Sequence, residues 1–272
     1  MNYKIKIVFA MLFAMVLSCA KNPFTGKSTL ALVPNSQILP MAFQQYDQFL
    51  SENKVITGTK DAKRVENVGM KIKTAAERWL NANGYSNYLE GYSWEYKLVD
   101  DKTVNAWCMP GGKIVFYTGI MPICKDDAGM ATVMGHEVAH ALANHGQQRM
   151  SAGLLQQAGA AGVAVATGSK SSEEQQLWMT AYGAGTQFGG MLPFSRNHES
   201  EADEIGLVLM AIAGYNPDTA VGFWERMAAQ SGGQAPPEFM STHPSNETRI
   251  NKIKELLPFA KQEAAKFGVT FK

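Results

Sequence analysis

The segment of residues 134–140 reads M-G-H-E-V-A-H and constrains this chain more than any other part of its sequence. It lies inside a stretch, from residue 126 or 127 to about residue 145, whose apolar spacing and aspartate N-cap predict a helix. In a helix, residues four apart project only about 40° from each other, so His136 and His140 point the same way from successive turns. Both imidazoles can therefore reach one zinc ion, while Glu137 lies about 100° further round, outside the metal's direct contacts.

An ordinary helix with three polar side chains could carry the same letters. The flanking residues Val133, Val138 and Leu142 make the rest of this helix apolar, so it is expected to be buried. Burying unpaired polar groups costs a few kcal/mol each, about as much as a lost hydrogen bond, and a metal removes that cost. The segment therefore predicts a catalytic zinc site with one open metal position, in which Glu137 is the base that takes a proton from the attacking water.

A third zinc ligand is expected from another helix, and residues 196–204 offer several acids. Glu199 and Asp203 are four residues apart and share a helix face, so one can bind zinc while the other orients a ligand histidine. Glu201 projects about 200° away from Glu199 and is a rival ligand with weaker support from its neighbours. His145 and His198 are predicted to lie at the surface or at a helix cap.

The remaining pattern predicts helices around a small sheet. Apolar spacing indicates an amphipathic helix over residues 61–83, and alternation indicates three short strands between residues 92 and 120. Residues 146–195 are rich in Ala, Gly, Gln and Met and contain two uncharged stretches. Their glutamines, glycines and marginal length favour a helical hairpin over a membrane span.

The N-terminus has the pattern of a bacterial lipoprotein leader. Two lysines precede an apolar run over residues 7–17, and a serine stands directly before Cys19. This predicts a signal peptide over residues 1–18, a membrane anchor through a lipidated Cys19, a tether over residues 19–35 and a folded domain over residues 36–272. The predicted location is the bacterial cell envelope, facing the periplasm, at the outer membrane in preference to the inner. Secretion without a lipid is the alternative.

Composition excludes nucleic acids as partners but does not decide whether a disulfide forms. The formal net charge is +1, which lacks the basic footprint that nucleic acids require. With 46% hydrophobic residues the chain can bury one substantial core, so one main domain is expected. Cys108 and Cys124 could pair or remain separate thiols.

Four blocks, in this order along the chain, resemble the gluzincin metalloprotease family that includes HtpX, the CAAX prenyl endopeptidases, mitochondrial Oma and the periplasmic lipoprotein proteases BepA and LoiP. They span roughly residues 40–255. The blocks are N-A-W at residues 105–107 with P-G-G at 110–112, H-E-V-A-H at 136–140, S-R at 195–196 with E-S-E-A-D at 199–203 and Gly206, and T-H-P at 242–244 with Arg249.

The resemblance implies an α+β fold, a mostly helical zincin-like metalloprotease domain with a small mixed sheet. It implies Glu199 as the third zinc ligand and Asp203 as its companion. The sequence departs from the pattern of HtpX, which has a long membrane span, and from that of BepA, which has a C-terminal repeat domain. Recruitment of partners through such a domain is therefore not predicted.

The resemblance also implies roles around the metal. Asn105 and Ala106 are expected on an edge strand to which an extended substrate peptide adds by β-augmentation. His243 is expected either to donate a hydrogen bond to the tetrahedral oxyanion or to occupy the open zinc position in a resting enzyme. Arg249 is expected to support that pocket.

These inferences predict an endopeptidase with one Zn²⁺ per chain that hydrolyses peptide bonds of envelope proteins in protein quality control. Unfolded or misassembled proteins are its expected substrates, and the sequence leaves its oligomeric state open. The alternative is a zinc-containing chaperone or binding lipoprotein that holds its clients without cutting them. The intact Glu137 argues for hydrolysis.

Overall fold

A computed structural model describes residues 19–230, 238–243 and 247–271. The predicted signal peptide and the proline of the T-H-P block lie outside the described residues. The chain divides into two compact units, one built from the residues up to Ile38 together with Asn144–His198, and the other from Leu39–Ala143 together with Glu199–Lys272.

Six strands and ten helices of the described residues are used below. The strands are β1 (Cys19–Lys21), β2 (Ser28–Leu30), β3 (Val55–Ile56), β4 (Glu95–Val99), β5 (Ala106–Met109) and β6 (Lys113–Tyr117). The helices are α1 (Asn35–Glu52), α2 (Lys60–Ala82), α3 (Met121–Cys124), α4 (Asp127–Leu142), α5 (His145–Thr167), α6 (Ser172–Thr186), α7 (Leu192–Ile212), α8 (Thr219–Ala229), α9 (Glu238–Thr242) and α10 (Glu247–Ala265). This confirms the predicted fold class, mostly helical with a small mixed sheet.

The four-stranded sheet has the order β3-β4-β6-β5, so β5 is an edge strand. β4 and β6 run parallel, whereas β5 pairs with β6 antiparallel, with Ala106 opposite Phe116. The predicted strands are therefore present, each within a few residues of its expected position. β3 was not predicted, because a strand of two residues is too short to show an alternating pattern.

Two long helices build the core beside this sheet. The side chain of Thr59 caps α2 by accepting a hydrogen bond from Ala62 N, and the predicted apolar face of α2 is buried. Asp126 caps α4 in the same way, and α4 is buried from Gly129 to Leu142. Each large apolar side chain buried in this manner contributes roughly 1.5–3 kcal/mol to folding, so α4 is a rigid support for whatever it carries.

The unit that contains Asn144–His198 is a small strand pair with a helical hairpin. Residues 19–35, predicted as a tether, contain the antiparallel strands β1 and β2. α5 and α6 pack together, and Tyr182 Oη donates a hydrogen bond to the Gln156 carbonyl oxygen over 2.9 Å. The predicted helical hairpin is thus present. Among the described helices, none combines the length and the hydropathy needed to cross a bilayer.

Both cysteines beyond Cys19 are free thiols. Burial, followed by the charge of Glu137, raises the pKa of Cys108 well above its usual value. Burial raises the pKa of Cys124 to about 12. Both groups are therefore protonated and unreactive near neutral pH, and the disulfide that the sequence left open does not form.

Candidate metal centre

Helices α4 and α7 bring together the three predicted metal ligands. The Nε2 atoms of His136 and His140 lie 3.1 Å apart. Glu199 Oε2 lies 3.3 Å from His136 Nε2, and Glu199 Oε1 lies 3.3 Å from His140 Nε2. The His136 and His140 side chains are 2% and 7% exposed, and that of Glu199 is 14% exposed. The three groups therefore converge on one point that is largely shielded from solvent.

Two glycines allow α4 and α7 to approach this closely. A Cβ added to Gly135 would lie 2.7 Å from the carbonyl oxygen of Gly206, and one added to Gly206 would lie 2.8 Å from the backbone nitrogen of His136. Contacts this short to backbone atoms do not occur with real side chains, so only glycine fits at either position. Gly206 lies seven residues after Glu199 and three after Asp203, on the same face of α7.

Behind the ligands, Asp203 and Arg249 form a buried pair. Asp203 Oδ1 lies 3.0 Å from His136 Nδ1. Arg249 donates from Nε to Asp203 Oδ2 over 2.8 Å and from Nη2 to Asp203 Oδ1 over 2.7 Å. Its Nη1 lies 3.4 Å from Glu199 Oε2. A carboxylate at Nδ1 fixes the histidine tautomer that leaves Nε2 available to a metal, so this pair orients both kinds of ligand.

Glu137 and His243 complete the site. His243 joins His136, His140 and Glu199 in one group whose potential ligand atoms all lie within 4.8 Å of one another, here called the ligand cluster. Glu137 is 3% exposed, and its Oε1 lies 3.5 Å from His243 Nε2. The His243 ring is held from behind, since its Nδ1 lies 3.1 Å from the Phe239 carbonyl oxygen and its plane stacks on the Phe239 ring at 4.5 Å.

Charge pairing sets the titration of the ligand cluster. Burial alone lowers the pKa of His136, but the carboxylates of Asp203 and Glu199 outweigh burial and raise that pKa to about 9. Burial likewise opposes ionisation of Glu199, yet its contacts with His136 and His140 hold its pKa far below the usual range. Burial, together with the positive charge of His136, lowers the pKa of His243 to about 3. The carboxylates are thus ionised and His243 is neutral.

The donor set fits a divalent cation. Two imidazole nitrogens and a carboxylate face one another at about the spacing of atoms that share a central ion, and Glu199 Oε2 is buried with no hydrogen bond among the described residues. Without a cation, protons on the imidazole nitrogens bridge these groups. A metal displaces those protons when it binds. Nitrogen and carboxylate ligands in this number suit Zn²⁺.

Of the two predicted substrate residues, Ala106 lies on an edge strand and Asn105 directly precedes that strand. Ala106 begins the edge strand β5, which packs against α4, the helix that carries the H-E-V-A-H motif. Tyr117 N donates to the Asn105 carbonyl oxygen on the β6 side, so the backbone groups of Ala106 and Cys108 project toward the open edge. The Asn105 side chain accepts a hydrogen bond from Ala106 N over 2.9 Å. Arg249, predicted to support the pocket of His243, contacts Asp203 and Glu199.

The structure shows which of the rival acids lies with the metal ligands, and it corrects the predicted positions of two histidines. Glu199, not Glu201, belongs to the ligand cluster. His145 and His198 are 0% and 3% exposed, so neither lies at the surface. His145 does begin α5, at a helix end, whereas His198 lies within α7. Their rings stack at 4.0 Å, and His198 Nε2 lies 3.1 Å from Gln148 Oε1. Helix angles could exclude them from the zinc site but could not show that stacking and an amide would bury them.

Sequence reasoning missed Trp224 altogether. This side chain is 1% exposed, and its ring lies 3.7 Å from the Arg249 guanidinium carbon. A tryptophan on the apolar face of a helix gives the same sequence pattern whether it packs in a core or beside a site. Only the three-dimensional arrangement reveals its position.

The chain is similar to several known metalloendopeptidases. The chain is 38% identical over 191 residues to the mitochondrial metalloendopeptidase OMA1 of Schizosaccharomyces pombe, covering 70% of this chain and 53% of that protein. It is 35% identical over 208 residues to OMA1 of Saccharomyces cerevisiae, covering 73% and 56%. It is 28% identical over 180 residues to the beta-barrel assembly-enhancing protease of Escherichia coli, covering 62% and 36%. The chain thus spans about half the length of the OMA1 proteins it matches.

These relatives overturn the predicted location. The lipoprotein pattern pointed to a bacterial envelope protein that is lipid-anchored and faces the periplasm. The relatives at 35–38% identity are mitochondrial metalloendopeptidases, which contradicts that location. A short apolar run after two lysines is a signal that cellular receptors recognise, and its physical chemistry does not specify one compartment.

The family itself is shown by the extent of the match. Residues 66–257 match the model of peptidase family M48. This segment contains β5, α4, α7 and α9 in full and the first part of α10. The matched segment contains both histidines of the motif, Glu199, His243 and Arg249. It covers well over half of the chain, and it confirms the predicted metalloprotease family. The chain belongs to peptidase family M48, a family of metallopeptidases.

Proposed function

We propose that this chain is a zinc-dependent endopeptidase that hydrolyses peptide bonds in extended segments of unfolded or misassembled proteins. The observation that carries the proposal is the ligand cluster, in which three predicted ligands and His243 meet beside the buried carboxylate of Glu137. Membership of a metallopeptidase family and relatives named metalloendopeptidases support the reaction class.

His136, His140 and Glu199 hold one zinc ion in this proposal. Bound zinc supplies Lewis-acid chemistry, because it polarises a carbonyl group and makes water more acidic. Asp203 keeps the His136 Nε2 lone pair directed at the ion by accepting from Nδ1. Arg249 contacts both Asp203 and Glu199 and so fixes the two carboxylates relative to each other.

Glu137 moves the proton. It follows His136 on α4 and lies near the cluster without belonging to it. As a carboxylate it takes a proton from the water that attacks the scissile carbonyl, and it then delivers the proton to the departing amide nitrogen. Its nearly complete burial keeps bulk water away from the carboxylate during this transfer.

The edge strand β5 binds the substrate. An extended peptide pairs with the outward-facing carbonyl oxygen of Ala106 and the outward-facing backbone groups of Cys108, which holds its main chain beside α4. Main-chain pairing recognises any extended segment, whereas most extended segments of a folded protein are already paired within it. This supports unfolded or misassembled proteins as the substrate class, as does the assembly-enhancing role in the name of the Escherichia coli relative.

His243 would bind the metal together with the three predicted ligands in the resting enzyme, since it belongs to the ligand cluster. Thr242 Oγ1 donates to the Phe239 carbonyl oxygen over 3.2 Å and lies 2.8 Å from His243 Nδ1. In the tautomer with the ring proton on Nδ1, that proton meets these two acceptors and Nε2 presents a lone pair. A lone pair suits ligation and cannot donate to an oxyanion, so this tautomer favours the second of the two predicted roles, occupation of the open zinc position. Substrate binding then requires His243 to move aside.

The test is digestion of casein by the purified chain, with zinc content measured on the same preparations. We expect Glu137→Gln to retain zinc and to lose at least a hundredfold in rate, as general-base catalysis contributes roughly 10²–10⁴-fold. The matched control is Glu66→Gln, an exposed glutamate on α2, which should digest casein at the native rate. Equal digestion by Glu137→Gln and native protein contradicts the proposal, and zinc binding with no digestion by the native protein favours the non-proteolytic chaperone.

A further inference from the structure

Trp224 stands against the flat face of the Arg249 guanidinium. The guanidinium carbon lies 3.7 Å from the centroid of the Trp224 ring, and Trp224 is 1% exposed. The nitrogens of the same guanidinium point at Asp203 in its own plane. The arginine is therefore held on a face by an aromatic ring and on an edge by a carboxylate.

The Trp224 ring also reaches both sides of the ligand cluster. It lies 5.9 Å from the His136 ring at an interplanar angle of 75°, an edge-to-face contact. On another side it stacks with Phe239 at 6.0 Å and 29°, and Phe239 stacks in turn on His243. Trp224, on α8, therefore contacts the His136 ring directly and also contacts Phe239, the side chain on which His243 stacks.

The orientation of Arg249 matters because a guanidinium donates only in its plane. If the plane tilts, the two donors to Asp203 and the approach to Glu199 cannot all be kept. An arginine side chain has many rotamers. Carboxylates alone hold the edge of the guanidinium but allow its plane to tilt. A large flat ring against one face removes that freedom, and the attraction between a cation and an aromatic ring is strongest where water is excluded.

From this geometry we infer that Trp224 is a positioning residue for the metal centre, acting through Arg249 on Asp203 and Glu199. The inference rests on the proposed function, because it concerns the affinity of the site for zinc. It separates Trp224 from the other buried residues of α8, which stabilise the fold without setting the geometry of the ligands.

The experiment measures zinc affinity of the full chain by competition with a chromophoric chelator, together with the thermal unfolding midpoint of the metal-free protein. We expect Trp224→Leu to bind zinc roughly tenfold more weakly, in the range found when the outer support of metal ligands is lost. Trp224→Phe keeps a smaller ring and should lose about two- to threefold. If Trp224→Leu does not fold, Trp224→Phe decides, and native affinity in that variant overturns the inference.

The matched control is Met227→Ala, another fully buried side chain on α8. It should lower the unfolding midpoint of the metal-free protein and leave zinc affinity within about twofold of native. Equal loss of affinity in Met227→Ala and Trp224→Leu means that general loosening explains the effect, and the inference fails.

A double variant tests the route through Arg249. In an Arg249→Met background, adding Trp224→Leu should cause a much smaller loss of zinc affinity than in the native background, because the main side chain through which Trp224 acts is gone. A further tenfold loss contradicts the inference. If the native protein binds no zinc at all, the proposed function fails, whereas native binding with unchanged affinity in Trp224→Leu refutes only the role of Trp224.

Discussion

The crossing of α4 and α7 at Gly135 and Gly206 is the most stringent feature of the site. In Gly206→Ala the new Cβ would lie 2.8 Å from His136 N, 2.9 Å from Gly135 C and 3.0 Å from His136 Cα, all backbone atoms. Carbon contacts are comfortable at about 3.5–4.0 Å, so α7 must retreat from α4 by roughly 0.7 Å. Overpacking of this kind costs about 1–3 kcal/mol, partly offset by the better helix propensity of alanine, up to about 1 kcal/mol.

The same displacement separates the ligands. Glu199 is on α7, whereas His136 and His140 are on α4, so a shift of roughly 0.7 Å exceeds the tolerance of about 0.2 Å on metal–ligand distances. We therefore expect Gly206→Ala to bind zinc at least tenfold more weakly and to digest casein correspondingly slowly at low zinc. Urea unfolding of the metal-free protein should show a loss of about 1–2 kcal/mol.

Gly222→Ala is the matched control, since Gly222 lies in α8 and its added Cβ would meet only the Arg226 Nη1 atom at 3.4 Å, the end of a flexible side chain. It should keep native zinc affinity and gain a little stability from helix propensity. Native zinc affinity in Gly206→Ala would refute the argument that this crossing sets the ligand geometry.

Three further predictions concern the charges of the site. Asp203→Asn should weaken zinc binding by roughly 10–100-fold in a chelator competition, because it removes the charged acceptor at His136 Nδ1 and leaves Arg249 with less neutralisation; an unchanged affinity would show that Asp203 does not orient the ligand. His243→Ala should raise the initial rate of casein digestion if Nε2 blocks the fourth metal position, and a slower rate would instead support a role in catalysis. In metal-free protein, the raised pKa of His136, about 9 against an unfolded value of about 6.5, should stabilise the fold fully below pH 6.5 and progressively less as pH rises through 9. Urea unfolding should show the stability difference between native protein and His136→Asn shrinking over that window, and a constant difference would contradict it.

Local periodicity sufficed for the parts of the site that lie within one helix. His136 and His140 share a face because four residues make about one turn, and Asp203 stands beside Glu199 for the same reason. Predicting that α7 meets α4 required knowledge of a contact across some 60 residues of chain, which came from the family resemblance. The sequence argument alone left Glu199 and Asp203 interchangeable as ligand and support.

Contacts between distant elements were not predictable from the pattern. Trp224 and the stacked His145 and His198 lie on helices whose apolar spacing fits many packings, so burial beside a particular partner leaves no local trace. Gly206 was noticed only as part of a matching block. Its physical reason, the absence of a Cβ where two backbones touch, becomes visible only when both helices are in place.

Zinc-edge anomalous diffraction from crystals of the full chain tests the central claim most directly. We expect one strong peak per chain, about 2.0–2.2 Å from the Nε2 atoms of His136 and His140 and from a carboxylate oxygen of Glu199. A peak at other residues, or none from protein supplied with stoichiometric zinc, would contradict the assignment of these three residues as the metal ligands.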